Sequence, residues 1–140
     1  MEMEIATGNA HDADTRGTGW FLGFSDWCRE NSELLFVPRG ESVAGLCLKW
    51  YDHPTGDRSA PKPVSVGRTV SLLVTQGAFQ VEFCRSPEFP PDQVRRVVLS
   101  RQGDFVAWGA GIEHRWCCLE AASILTLRFE PVRPGGEGTW

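Results

Sequence analysis

The sequence predicts an all-β protein of one domain, built from many short strands. Three observations carry this. The 140 residues include 15 glycines and nine prolines, enough to punctuate many short strands and too many for long helices. Apolar, β-prone runs recur between those breaks. The stretch Gly103-Asp104-Phe105-Val106-Ala107-Trp108-Gly109-Ala110-Gly111-Ile112-Glu113-His114 reads as turn, strand, double-glycine turn and a histidine at the mouth of the next strand. The length fits a single domain of ~100–200 residues and buries about two-thirds of the unfolded surface.

Taken in order, residues 1–18 are polar and aperiodic and read as a flexible N-terminal tail. His11 lies in that tail, and its Asp neighbours read as solvated surface. The folded barrel is expected over residues 19–130. Trp20–Phe24, bracketed by Gly19 and Gly23, suggests a first strand. Ser25 is placed to cap a helical turn through Asp26-Trp27-Cys28. Leu34–Val37 reads as a short strand stopped by Pro38-Arg39-Gly40.

Ser42–Tyr51 alternates. Ala44, Leu46, Leu48 and Trp50 form the expected core face, with Val43, Gly45, Cys47, Lys49 and Tyr51 opposite. The polar loop from Asp52 to Gly67 suits an excursion at a barrel rim. Arg68–Thr75 and Ala78–Cys84 read as a hairpin about Gln76-Gly77. Gln93–Ser100, the strand after Gly103, Arg115–Cys118 and Ser123–Phe129 complete the set, with a turn over Leu119–Ala122. Residues 131–140 are rich in proline and glycine and read as a flexible C-terminal tail.

Composition narrows the function classes. A net charge of −4 gives no basic excess for nucleic acid. No apolar run of ~18 residues exists to cross a membrane. The acidic start, Met-Glu-Met-Glu, lacks the basic residues of a signal peptide, so a cytoplasmic protein is expected. Five cysteines without C-x-x-C spacing read as free thiols. Six tryptophans and eight phenylalanines suit an aromatic cavity.

Gly103, Gly111 and His114 fall at the spacing of the second motif of the cupins, with Gly109 where that motif has proline. The chain resembles this family from about Leu46 to Phe129. The resemblance implies an antiparallel jelly-roll β-barrel with a central ligand cavity. Many cupins pair through their sheets, so the resemblance also implies a possible homodimer. The segment Lys49-Trp50 through His53, Gly56 and Arg58, then Gly77, resembles small stand-alone cupin-like proteins.

Metal-binding cupins carry a first motif as well: a His-x-His pair, a glutamate, and a closing glycine. Gly77 fits the glycine, which puts Val70 at the carboxylate. The paired histidines fall on Val64 and Val66, or on Pro63 and Ser65. None of these ligates a transition metal, and a lone histidine is short of the three ligands that a catalytic centre needs. No cofactor is therefore predicted. A divalent metal would require His53 and His114 together, with Asp52, Asp57 or a cysteine.

The candidate site centres on His114, expected to face the cavity and to move a proton near neutral pH. Trp116 and Cys118 follow it on one strand face. Trp108 precedes the turn, Trp50 lies on the expected core face, and Arg128 shares a face with Ile124 and Thr126. These are the expected substrate-binding residues; for the tryptophans and Arg128, core packing and an outer face respectively stay open.

The leading reading is a cupin-like enzyme acting on a small, largely apolar molecule by acid–base chemistry, of isomerase, cyclase or lyase type, without the standard metal. A non-catalytic module that binds or senses a small molecule is the alternative. A metal-dependent enzyme using His53 and His114 is the third.

Overall fold

Two antiparallel sheets face each other in the computed structural model, which describes residues 3–60 and 62–132. Eight strands form them: β1 (Ile5–Asn9), β2 (Ser42–His53), β3 (Arg68–Leu73), β4 (Ala78–Cys84), β5 (Arg95–Leu99), β6 (Asp104–Trp108), β7 (Glu113–Glu120) and β8 (Ala122–Val132). The first sheet has the order β1-β6-β3-β8-β2 and the second β5-β4-β7. The all-β class expected from the sequence is found, as a two-sheet antiparallel sandwich. Its two sheets are not joined by strand pairing into the closed barrel that was expected.

Each sheet supplies one apolar face to the interior. Leu73, Phe79, Val81, Phe83, Leu99, Val106 and Trp108 form the core between them. Phe83 is fully buried, and removing such a ring from water contributes about 1.5–3 kcal/mol. A second cluster lies on the outer face of the larger sheet, where Leu34 and Leu35 cover Val70, Phe105 and Ala107.

Turns that looked like hairpins are crossings between sheets. The expected β3–β4 hairpin does not form: β3 pairs with β6 and β8, whereas β4 pairs with β5 and β7. Both edges of β3 are taken, so β4 must start the opposite sheet. The Gly103 turn likewise joins strands of different sheets, and its amide donates to the Leu73 carbonyl at 2.8 Å. The chain crosses again at Ala121, between β7 and β8. That crossing packs on Gly77, whose φ is +148° and whose added Cβ would stand 2.3 Å from the Ala121 carbonyl oxygen.

Other expectations are corrected at the N-terminal side. The tail assigned to residues 1–18 contains β1, which pairs along β6 from Ile5 opposite Trp108 to Asn9 opposite Asp104. Asn9 Nδ2 donates to the Asp104 carboxylate at 2.9 Å, so a polar side chain anchors what looked too polar to fold. Trp20–Phe24 forms only an isolated bridge, Gly23 to Phe36. Leu34 and Leu35 lie in a 3-10 turn, Glu33–Leu35. A short helix, α1 (Asp26–Asn31), follows Ser25, which takes the N-cap position without a side-chain hydrogen bond. The expected C-terminal tail starts inside β8; residues 133–140 lie outside the described residues.

The largest correction concerns β2. Leu46, Leu48 and Trp50, expected in the core, are 58%, 62% and 58% exposed. The pairing with β8 shifts register between Ala44 and Cys47, beside Gly45 at φ +61°. Alternation alone does not say which face of an edge strand is covered. Here the face turned toward the other sheet carries Lys49, Tyr51 and His53, of which His53 is buried and Tyr51 is half exposed. Among the described residues no helix is long and apolar enough to cross a membrane.

Gly77→Ala is expected to destabilise the protein by about 2–3 kcal/mol, because a backbone carbonyl blocks the methyl and the φ is strained. Denaturant unfolding checks this; a loss below about 0.5 kcal/mol would contradict the packing of the two crossings.

Candidate functional site

After β2 the chain doubles back along the free edge of β7. The amides of Gly56, Ser59 and Lys62 donate to the carbonyls of Cys118, Trp116 and His114 at 2.8, 3.0 and 2.8 Å. The Cys118 amide returns a bond to the Asp57 carbonyl at 2.7 Å. This return walls a cavity of about 360 Å³ between the two sheets.

His53 ends β2 and is 8% exposed. Its Nδ1 lies 2.8 Å from Asp57 Oδ2. An ionised carboxylate only accepts, so Nδ1 donates and the neutral ring keeps its lone pair on Nε2. The imidazole is held among three rings, with centroids 4.5 Å from Tyr51, 4.9 Å from Phe79 and 4.5 Å from Trp116. A carboxylate fixes the tautomer and aromatic packing fixes the plane.

His114 lines the same cavity from the start of β7, its ring 5.2 Å from Trp108. Its Nδ1 is buried with no partner at hydrogen-bonding geometry. Burial pushes its pKa down to about 4, and Arg128, Lys62 and Lys49 push the same way, with the Ile112 carbonyl opposing. With that shift the ring is neutral at physiological pH. Trp108 is fixed by its own bond, Nε1 donating to Ser65 Oγ at 3.1 Å.

Of the residues singled out in the sequence, His114, Trp116, Trp108, Arg128 and His53 line the cavity. Two do not. Trp50 faces outward and bonds through Nε1 to Asp52 at 2.9 Å, because β2 presents its opposite face inward. Cys118 is fully buried in the core, its Sγ 3.1 Å from the Glu120 carbonyl oxygen, and burial raises its thiol pKa. That environment disfavours the thiolate needed for nucleophilic chemistry.

Sequence reasoning missed Lys49, Tyr51, Lys62, Thr69 and Ser71, all on the cavity wall. The period-2 series Lys49, Tyr51, His53, with Asp57 four residues on, was the available signal. It was outweighed by the more apolar opposite face.

The donor set tests the metal. The positions matching the first motif's histidines do reach the cavity, as Pro63, Val64, Ser65 and Val66. Val70, at the carboxylate position, faces the outer cluster instead. Among the described residues no three His, Cys, Asp or Glu side chains come together to hold a metal ion. His53 and His114 lack a third partner, so the residues present do not fit a three-ligand centre.

No family model matches the sequence, and no curated protein matches it. Solved structures do. One is the QdtA 3,4-ketoisomerase from Thermoanaerobacterium thermosaccharolyticum, a double mutant in complex with TDP. The likeness has a TM-score of 0.55 at 14% identity over 96% of this chain and 90% of that one. It is a likeness of fold. Streptomyces albus HEPD with 2-hydroxyethylphosphonate and Fe(II) bound matches at TM-score 0.49 and 18% identity. The match spans 73% of this chain and only 26% of that one. Fe(II) HppE in complex with substrate matches at 0.42 and 11%, over 60% and 46%.

A buried histidine with a depressed pKa has a signature in stability. The unfolded chain takes up the proton near the ordinary value of 6.5, the folded chain only near about 4. Falling pH therefore favours unfolding across that window. Melting temperature followed from pH 7 to 4 should fall more steeply in the wild type than in His114→Gln. Parallel slopes would contradict the burial of His114.

Proposed function

We propose that the cavity is the active site of an acid–base enzyme of isomerase, cyclase or lyase type, acting on a small molecule held against aromatic side chains. The observation that carries this is the pairing of His53, which lines the cavity, with Asp57 behind it at 2.8 Å. A histidine oriented by a carboxylate is the usual construction of a general base, with the distal nitrogen taking the proton. His53 Nε2 would accept a proton from carbon or oxygen of the bound molecule and return it to another atom of that molecule. The neutral His114 would hold a polar atom of the ligand by a hydrogen bond. Trp108, Trp116 and Phe79 would set the plane of its apolar part and keep water away from the transfer. The step balances within the substrate and needs no metal.

The non-catalytic alternative uses the same cavity and differs only in turnover. A panel of small hydroxy-carbonyl compounds in D2O, read by NMR for deuterium incorporation, separates the two. The wild type should promote exchange into at least one compound. His53→Gln should slow it by about 10²–10⁴-fold, and Asp57→Asn should slow it less. Exchange that survives unchanged in His53→Gln would overturn the reading. Binding without exchange would leave a ligand-holding module.

A further inference from the structure

We infer that the ligand of this cavity is a small organic anion, its carboxylate or phosphate group held by Lys49, Lys62 and Arg128 and its apolar part lying against the cavity tryptophans. The inference deepens the acid–base reading by naming the substrate class, and it rests on that reading for the location of the chemistry.

The charge distribution is the first argument. The chain carries 18 acidic against 14 basic residues and is acidic overall. Yet the charged side chains lining the cavity are Lys49, Lys62 and Arg128, with no carboxylate among the lining residues. They come from three separate parts of the fold: β2, the return along β7, and β8. Register places Arg128 between Cys47 on edge strand β2 and Thr69 on the central strand β3. None of the three makes an ion pair among the described residues, whereas Arg16, Arg29, Arg96, Arg101 and Arg115 all do. The three are solvent-exposed and line one cavity with no acidic side chain among its lining residues, so an anion bound there would lower their mutual repulsion.

The second argument is independent of charge. Thr69 Oγ1 lines the cavity from β3, on a residue 1% exposed, and has no hydrogen-bond partner. A buried hydroxyl left unpaired costs about 1–3 kcal/mol. A ligand oxygen accepting from it would recover that cost. Beside it the Ser71 and Thr126 hydroxyls bond each other at 3.1 Å, so the same wall is polar along its length. The opposite wall is aromatic, with Phe79 and Trp116 stacked at 5.4 Å. One side suits an oxyanion and the other a flat apolar body, within a volume of about 360 Å³ that holds a small molecule.

Phenyl phosphate and benzoate serve as anionic probes, with benzyl alcohol as the neutral counterpart. Binding is read by tryptophan fluorescence and by melting temperature. At least one anion should bind about tenfold or more tightly than benzyl alcohol, weaken with added salt, and compete with inorganic phosphate. Lys49→Gln, Lys62→Gln and Arg128→Gln should each weaken the anion about fivefold and leave benzyl alcohol unchanged. Thr69→Val, close in shape, should weaken the anion without loss of melting temperature. Equal binding of the neutral probe, no effect of the three charge variants, or no binding of either anion would each overturn the inference.

His53→Gln separates the two proposals. It should retain the anion with an affinity within about twofold while losing proton exchange. Anion binding without exchange in the wild type would sink the acid–base reading alone. Exchange confined to neutral compounds would sink the anion alone.

Discussion

The return of the chain along β7 is the contact on which the rest of the site depends. The second sheet has only three strands, and β7 would otherwise end it with a row of unpaired backbone groups. Bridges from Arg58 to Cys117 and from Lys62 to His114 occupy that edge. The same pairing does three further things. It holds Asp57 at His53, it carries Lys62 to the cavity, and it delivers Ser65 to the Trp108 indole. A single backbone pairing thus joins the His53–Asp57 pair and Lys62 to the Trp108 indole, which is distant in sequence.

The cavity is built by contrast between its two walls. Thr69, Ser71 and Thr126 make the larger sheet's inner face polar where a sandwich core would be aliphatic. Phe79, Val81 and Trp116 keep the smaller sheet apolar. That asymmetry accounts for space between sheets that elsewhere pack tightly on Phe83, Leu73 and Val106. It also accounts for the two histidines. His53 is compensated by a carboxylate and three rings, whereas burial without a charged partner leaves His114 neutral.

Local sequence carried the strands well. β3 through β8 lie near their expected places because apolar, β-branched runs end at glycine and proline. The motif spacing from Gly103 to His114 located one wall of the cavity, since turn geometry is a local property. Pairing was less legible. Gln76-Gly77 and Gly103 look like hairpin turns, and a glycine that reverses a chain within one sheet has the same appearance as one that crosses between sheets. Only the occupied edges of β3 distinguish them. The inward face of β2 was misread because hydrophobicity usually marks the buried side. There the inner face lines a cavity instead of packing on a core, so Lys49, Tyr51 and His53 point in and Leu46, Leu48 and Trp50 point out. Asn9 and the strand around it show the same limit, since one side-chain bond to Asp104 was worth more than composition suggested.

Amide hydrogen exchange, resolved by residue, tests the central claim most directly. The amides of Gly56, Ser59, Lys62 and Cys118 all donate into the pairing along β7. The account predicts protection of these four comparable to that of the β4–β7 pair, with exchange slowed by at least about 10²-fold relative to an open loop. Exchange at open-loop rates would mean that the return does not hold, and the cavity, the His53–Asp57 pair and the cationic cluster would lose their common support.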